Sequence, residues 1–260
     1  MNEINKNNLA VRNTLYARTL GTLEILYNGV PWELPMSVKG KVMQLFMLLI
    51  WAGENGISRV KLQDFLYDRR STDAANALRI TTTRLRKILS QSVLPSGEYV
   101  VVEKNTYYLK MGRVGGELEL QMDAALMEDY YNRAMEDEAT RQLLLEQACR
   151  LYGGEFLPVL SGEVWAESLR SHYQDIYFKG VREACRLMKN HRDHQKIVRL
   201  CDAATAAYPL AEWAEQKIGA LLALKRYGDA LKTYDYVTQT LLDETGSIPP
   251  DHVLAYFKQI

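Results

Sequence analysis

Hydrophobic periodicity changes character at one glycine-rich joint. Residues 111–117 read MGRVGGE, with three glycines between Gly112 and Gly116. Beyond that joint nearly every stretch places apolar residues at helical spacing, whereas before it short alternating segments and helical ones are interleaved. Such a change is what two modules of different architecture produce. A chain of 260 residues can give each module its own core. We therefore expect a mainly α protein with small β parts, divided into residues 1–115 and residues 116–260.

The first half opens on RTLGTLEILYNGVPWELP. Leu23, Ile25 and Tyr27 alternate with polar neighbours, and Asn28-Gly29 is a turn pair that tolerates positive φ, so Val30 to Leu34 returns as a hairpin. A helix from Lys39 to Gly53 follows, apolar on nearly all sides and therefore buried. Ser58 is placed to cap a second helix with Val60, Leu62, Phe65 and Leu66 inward. Ser71 or Thr72 caps a third, with Asp73 in its first turn. The stretch EYVVVEKNTYYLKM then reads as a second hairpin around Lys104-Asn105.

In the second half, candidate helices cover residues 122–135, 138–152, 163–189, 193–208, 210–224, 227–243 and 250–259. His194, Ile197, Cys201 and Ala204 are matched by Tyr227, Ala230, Tyr234 and Val237, each pair 33 positions apart. A helix–turn–helix period near 34 is the tetratricopeptide (TPR) spacing. The expected architecture is a TPR-like all-α helical array. Its aromatic residues, Tyr173, Tyr177, Phe178, Tyr208, Trp213, Tyr227, Tyr234 and Tyr236, suit either the helix–helix core or the lining of a concave groove.

The formal net charge is zero, yet it is unevenly distributed. Residues 1–115 carry 16 Lys/Arg against 9 Asp/Glu, and the remainder carries 16 against 23. A basic module joined to an acidic one suits a nucleic-acid reader with a partner domain. Cys149, Cys185 and Cys201 are odd in number and widely spaced, which fits reduced thiols in a cytoplasmic protein. No apolar run is long enough to span a bilayer, and the polar start MNEINKNNLAVRN is not a secretory signal.

The charge concentrates in STDAANALRITTTRLRKILS, residues 71–90, where Asp73 is the sole acid. At about 100° per residue, Leu78, Thr82, Leu85, Ile88 and Leu89 share a buried stripe. Asn76, Ile80, Thr83 and Lys87 fall on the opposite face, flanked by Arg79, Arg84 and Arg86. An amide, guanidinium groups, a hydroxyl and an exposed methyl-bearing side chain are the chemistry that reads base edges in a major groove. A solvated face with i,i+4 ion pairs is the competing account, and it lacks the acids it needs. The β-branched run Ile80–Thr83 is the helix's weak point.

A hairpin, three helices with the third basic, and a closing hairpin resemble the OmpR-type winged helix of bacterial response regulators. The residues that carry this are LGTLEILYNG, ALRITTTRLRKIL and TYYL. The remainder is similar to the bacterial transcriptional activator domain of antibiotic-regulatory (SARP-type) proteins, through LYGGEFLP, VWAESLR, GDALKTYDYV and LLDETGSIPPDHVLAYFKQI. The resemblance implies a sequence-specific DNA-binding regulator, an activator of transcription with promoter DNA and RNA polymerase as partners. Family members bind tandem repeats, which implies a homodimer at least on DNA. The reading role then passes to Asn76, Arg79, Ile80, Thr83 and Lys87, with Arg84 and Arg86 of the same helix as further DNA-binding residues. The hairpin contact passes to Lys104 and Asn105, although the family usually has glycine where Thr106 stands. Ser58, Arg59 and Lys61 are backbone-contact candidates. With no receiver domain before residue 18, control by an aspartate relay is not expected.

Other motifs carry less. The GGEF at residues 153–156 makes an interhelical turn rather than a cyclase signature. His191 and His194 are three apart, but His194 occupies a repeat position, so packing is expected and no metal or cofactor is assigned. Trp165 and Arg170 read as packing residues. Neither a Ser–His–Asp set nor a carboxylate pair stands out, so no catalysis is assigned. A small-molecule effector remains a candidate occupant of the helical domain. The alternative function is a TPR-like scaffold or sensor whose basic domain binds proteins, or binds DNA without sequence preference.

Overall fold

The computed structural model describes residues 13–67, 73–95, 97–110, 118–209 and 213–246. Two expected features, the cap at Ser71 or Thr72 and the helix at 250–259, lie outside these residues, as does the glycine joint. Two compact units emerge from the contacts: residues 1–126 with 155–171, and residues 127–154 with 172–260.

The first unit begins with β1 (Asn13–Arg18), β2 (Glu24–Tyr27) and β3 (Val30–Pro31). The β2–β3 turn is the expected one, with Asn28 at φ 50° and Gly29 at φ 78°. β1 pairs antiparallel with β2 and parallel with β7 (Leu118–Met122), giving the order β3-β2-β1-β7. Alternation puts Leu15 and Ala17 of β1 into the core. A sequence-local reading finds the β2–β3 hairpin but neither pairing of β1, and no turn joins β1 to β7.

Helix α1 (Lys41–Ala52) is buried from Met43 through Ile50, as its apolar run dictates. Gly56 then turns the chain at φ 63°, where an added Cβ would lie 2.5 Å from the Tyr108 ring. That close approach lets β4 (Ile57–Ser58) join β6 (Thr106–Leu109), which in turn pairs with β5 (Val100–Glu103). Helix α2 (Arg59–Leu66) buries Leu62 and Leu66. Val60 departs from expectation, being 66% exposed. Two residues from Leu62 is a 200° rotation, which turns Val60 away from the core. Helix α3 (Ala74–Ser90) completes the three-helix core.

Residues 155–171 also belong to this unit. Leu20 and Phe156 form an antiparallel bridge, and Leu157 donates its N–H to the Thr19 carbonyl at 2.7 Å. The Arg170 guanidinium donates to the Phe156 and Leu157 carbonyls at 3.0 and 3.1 Å. Trp165 is buried and donates to Gln44 of α1 at 3.3 Å. Asp123 is buried too, and its carboxylate accepts from the N–H groups of Thr19, Leu20 and Ala124 and from the Thr19 hydroxyl. Trp165 and Arg170 are packing residues as expected, but they pack inside the first unit.

The second unit is helical. It comprises most of α4 (Asp123–Glu136), α5 (Arg141–Leu151), α6 (Val164–Asn190) from His172 onward, α7 (His194–Ala207), α8 (Trp213–Ala223) and α9 (Tyr227–Thr245). Successive helices α7, α8 and α9 pack on one another, as in a TPR-like array. Tyr173, Tyr177 and Trp213 are core residues, with Tyr152 stacked on Tyr177 at 4.0 Å. Tyr227 and Tyr236 are exposed instead. His194 is half-buried at the start of α7, and His191 meets Gln142 at 2.7 Å.

Candidate nucleic-acid interface

Helix α3 holds its threonines by giving each hydroxyl a partner. Thr82 donates to the Leu78 carbonyl at 2.7 Å, and Thr83 to the Arg79 carbonyl at 2.9 Å. Both are the i−4 back-bonds that short hydroxyl side chains make in helices. Thr81 is buried and shares a 2.7 Å hydrogen bond with the Tyr67 hydroxyl. With Leu78, Leu85 and Leu89, Thr81 and Thr82 form the inward stripe, and Ile88 is half-buried at its margin.

The outward face carries Arg79, Ile80, Thr83, Arg84 and Lys87, all exposed. Ile80, at 40% exposure, puts an apolar surface among cations. Among the described residues none of Arg79, Arg84 and Lys87 has a carboxylate partner at salt-bridge distance. Asn76 is half-buried. Its amide accepts from Arg79 Nη2 at 2.9 Å and donates to Asp73 Oδ2 at 3.1 Å. Asp73 is therefore not in the first turn as expected. It is the N-cap residue, and its carboxylate is spent on Asn76 rather than on the helix N–H groups.

Arg86 departs from the outward set. Its Nε and Nη2 both donate to the Val100 carbonyl, at 2.9 and 2.7 Å, and Nη2 lies 3.6 Å from Glu98. A helical wheel places Arg86 beside the outward face, but a strand carbonyl within reach attracts two donors at once.

The closing hairpin turns at Lys104 (φ 47°) and Asn105 (φ 67°), a two-residue loop with both centres left-handed. Its geometry forms without a glycine at Thr106. The Arg59 N–H donates to the Asn105 carbonyl at 2.8 Å, so the start of α2 is tied to the hairpin tip. Ser58 caps α2 as expected, its hydroxyl accepting from the Lys61 N–H at 3.3 Å. The Lys61 ammonium lies over the Trp51 and Phe65 rings, 5.2 and 5.5 Å from their centroids. Those rings partly occupy the charge expected to meet phosphate.

A helix packed on two others and followed by a β hairpin is a winged-helix arrangement. The helical unit beyond it belongs to a transcription regulator. Residues 122–260 match the model of the bacterial transcriptional activator domain, and this chain belongs to that family, the SARP-type transcriptional regulators. Among solved structures it is similar to Mycobacterium tuberculosis EmbR in complex with a low affinity phosphopeptide, with a TM-score of 0.63 and 18% identity. The likeness covers 95% of this chain and 64% of the EmbR chain, so this chain spans about two thirds of EmbR's length. No curated protein matches it. No helix among the described residues is long and apolar enough to cross a membrane.

Proposed function

We propose that this regulator reads promoter DNA with the exposed face of α3 and activates transcription through its helical region. The observation that carries the reading is the set Arg79, Ile80, Thr83, Arg84 and Lys87, exposed on one face. Arg79 and Asn76 have the donors and acceptors that pair with guanine and adenine edges. Ile80 offers the apolar contact that suits a thymine methyl. Lys104 and Asn105 at the hairpin tip reach the neighbouring groove or backbone, and Ser58, Arg59 and Lys61 lie along the phosphates.

In this reading residues 1–115 supply the DNA contacts and residues 116–260 supply partner contacts. Repeated sites bring two copies together on DNA, and the helical region meets RNA polymerase, the second protomer or a small effector. The protein works in the cytoplasm.

The test is binding to a repeated site selected from random DNA, measured across a salt series. Arg79→Ala and Asn76→Ala should each lose about 1–3 kcal/mol of affinity for that site. Lys87→Ala should weaken all sequences alike and lower the log–log salt slope by about 0.9. A helical scaffold with a protein-binding basic domain would select no site. A compacting protein would bind every sequence equally well. Parental affinity in both the Arg79 and Asn76 variants would remove α3 as the reader.

A further inference from the structure

Strand β5 is an outer strand of the sheet β4-β6-β5. Its hairpin partners are Val100↔Leu109, Val101↔Tyr108, Val102↔Tyr107 and Glu103↔Thr106. A two-residue turn makes Glu103–Thr106 a hydrogen-bonded pair, and such pairs then alternate along the ladder. The Lys110 N–H to Tyr99 carbonyl bond at 2.8 Å agrees with that phase. Val100 therefore falls in a non-hydrogen-bonded pair, with its carbonyl directed out of the sheet. Val100 is also completely buried. A buried carbonyl without a donor is costly.

Arg86 supplies two donors to that oxygen from the middle of α3. The residue stands directly before Lys87 and three positions after Thr83, both on the outward face. Glu98 draws the same Nη2 and offsets part of its charge. The guanidinium thus joins the helix carrying the reading face to the first residue of the hairpin whose tip is Lys104-Asn105.

We propose that Arg86 is a positioning residue for DNA recognition, a strut holding the hairpin at a fixed angle to α3 so that both meet one duplex in register. This role rests on the DNA reading proposed above. It makes Arg86 a determinant of specificity through geometry rather than a groove contact. Its loss should affect sequence discrimination more than general affinity, because a loosened hairpin reaches phosphates on any DNA but no longer in phase with the helix.

The experiment uses the full chain and two readouts. In the DNA-free protein, Arg86→Met should speed amide exchange at Val101 and Tyr108 by about tenfold or more, with the α1 amides unchanged. On the selected site, the ratio of specific to non-specific affinity should fall by about tenfold, and the hairpin side of a hydroxyl-radical footprint should vanish while the α3 side persists. Arg86→Lys keeps the charge and one donor and should lie between parent and Met; it decides the matter if Arg86→Met also loosens α1. Parental exchange and parental discrimination in these variants, with affinity lowered equally on all sequences, would make Arg86 a phosphate contact and overturn the strut. A parent protein that selects no site at all would overturn the DNA reading itself, and this role with it.

Discussion

The hydroxyls of Tyr67 and Thr81 lie 2.7 Å apart, joining the residue after α2 to the middle of α3. Burial, partly offset by this bond, raises the Tyr67 pKa, and burial likewise raises those of Tyr99 and Tyr177. A group whose folded pKa is raised contributes stability that is fully present below its unfolded value and is lost as pH rises through the folded value. Ultraviolet titration of the native protein should therefore show a fraction of the phenols ionising above pH ~10, with unfolding following on the alkaline side. Thr81→Val keeps the shape but strands the Tyr67 hydroxyl, and should cost about 1 kcal/mol in denaturant titrations.

Arg170 should be among the most sensitive positions of the first unit. Its guanidinium is nearly buried, serves the Phe156 and Leu157 carbonyls, and pairs with Glu167 at 2.5 Å. Arg170→Met leaves two carbonyls without their donors and should lower stability by about 2–4 kcal/mol. Glu167→Gln, at an exposed partner, should cost under about 1 kcal/mol. Equal losses in the two variants, read from urea midpoints at constant slope, would contradict this ranking.

Asp123 gives a distinct pH signature. Burial pushes its carboxyl above the usual range, against the pull of the donors from Thr19, Leu20 and Ala124. Its contribution is therefore largest below the unfolded carboxyl pKa and diminishes as pH rises through the elevated folded one. Melting temperatures of parent and Asp123→Asn, compared from pH 3 to 7, should show the parent's relative advantage shrinking with rising pH. Asp123→Ala removes the shared acceptor at every pH and should cost about 3 kcal/mol.

The thiols should be silent in the native state. Cys149, Cys185 and Cys201 are all buried, and burial pushes the Cys149 thiol up to about 12. Buried thiols are out of reach of a bulky reagent, so aromatic disulfide reagents at pH 8 should label none of the three on a minutes scale, and all three after denaturation. Rapid native labelling at any of them would mean that the helical unit opens locally.

Much of α3 is legible in the sequence. Leu78, Leu85 and Leu89 against Ile80, Thr83 and Lys87 is a one-helix pattern, and a one-helix calculation resolves it. Arg86 was not legible, since its direction depends on a carbonyl in a strand fourteen residues away. The ring contacts of Lys61 are hidden for a similar reason, because Trp51 and Phe65 meet beneath it only after folding. Val60 was a local error, corrected by helical phase alone. The return of residues 155–171 to the first unit left no periodic trace. Gly-Gly at 153–154 marked a turn but could not say where the chain would go next.

That return has a consequence for synthesis. The first unit is discontinuous in the chain, interrupted by everything from Met127 to Gly154. On the ribosome, α1, α2, α3 and the hairpin emerge early, yet Phe156, Trp165 and Arg170 are still to be translated. A nascent or prematurely terminated product would thus hold the basic helix without the buried guanidinium and indole that complete the core of its unit. The DNA-binding competence proposed above should arrive late, only after residues 155–171 have been translated.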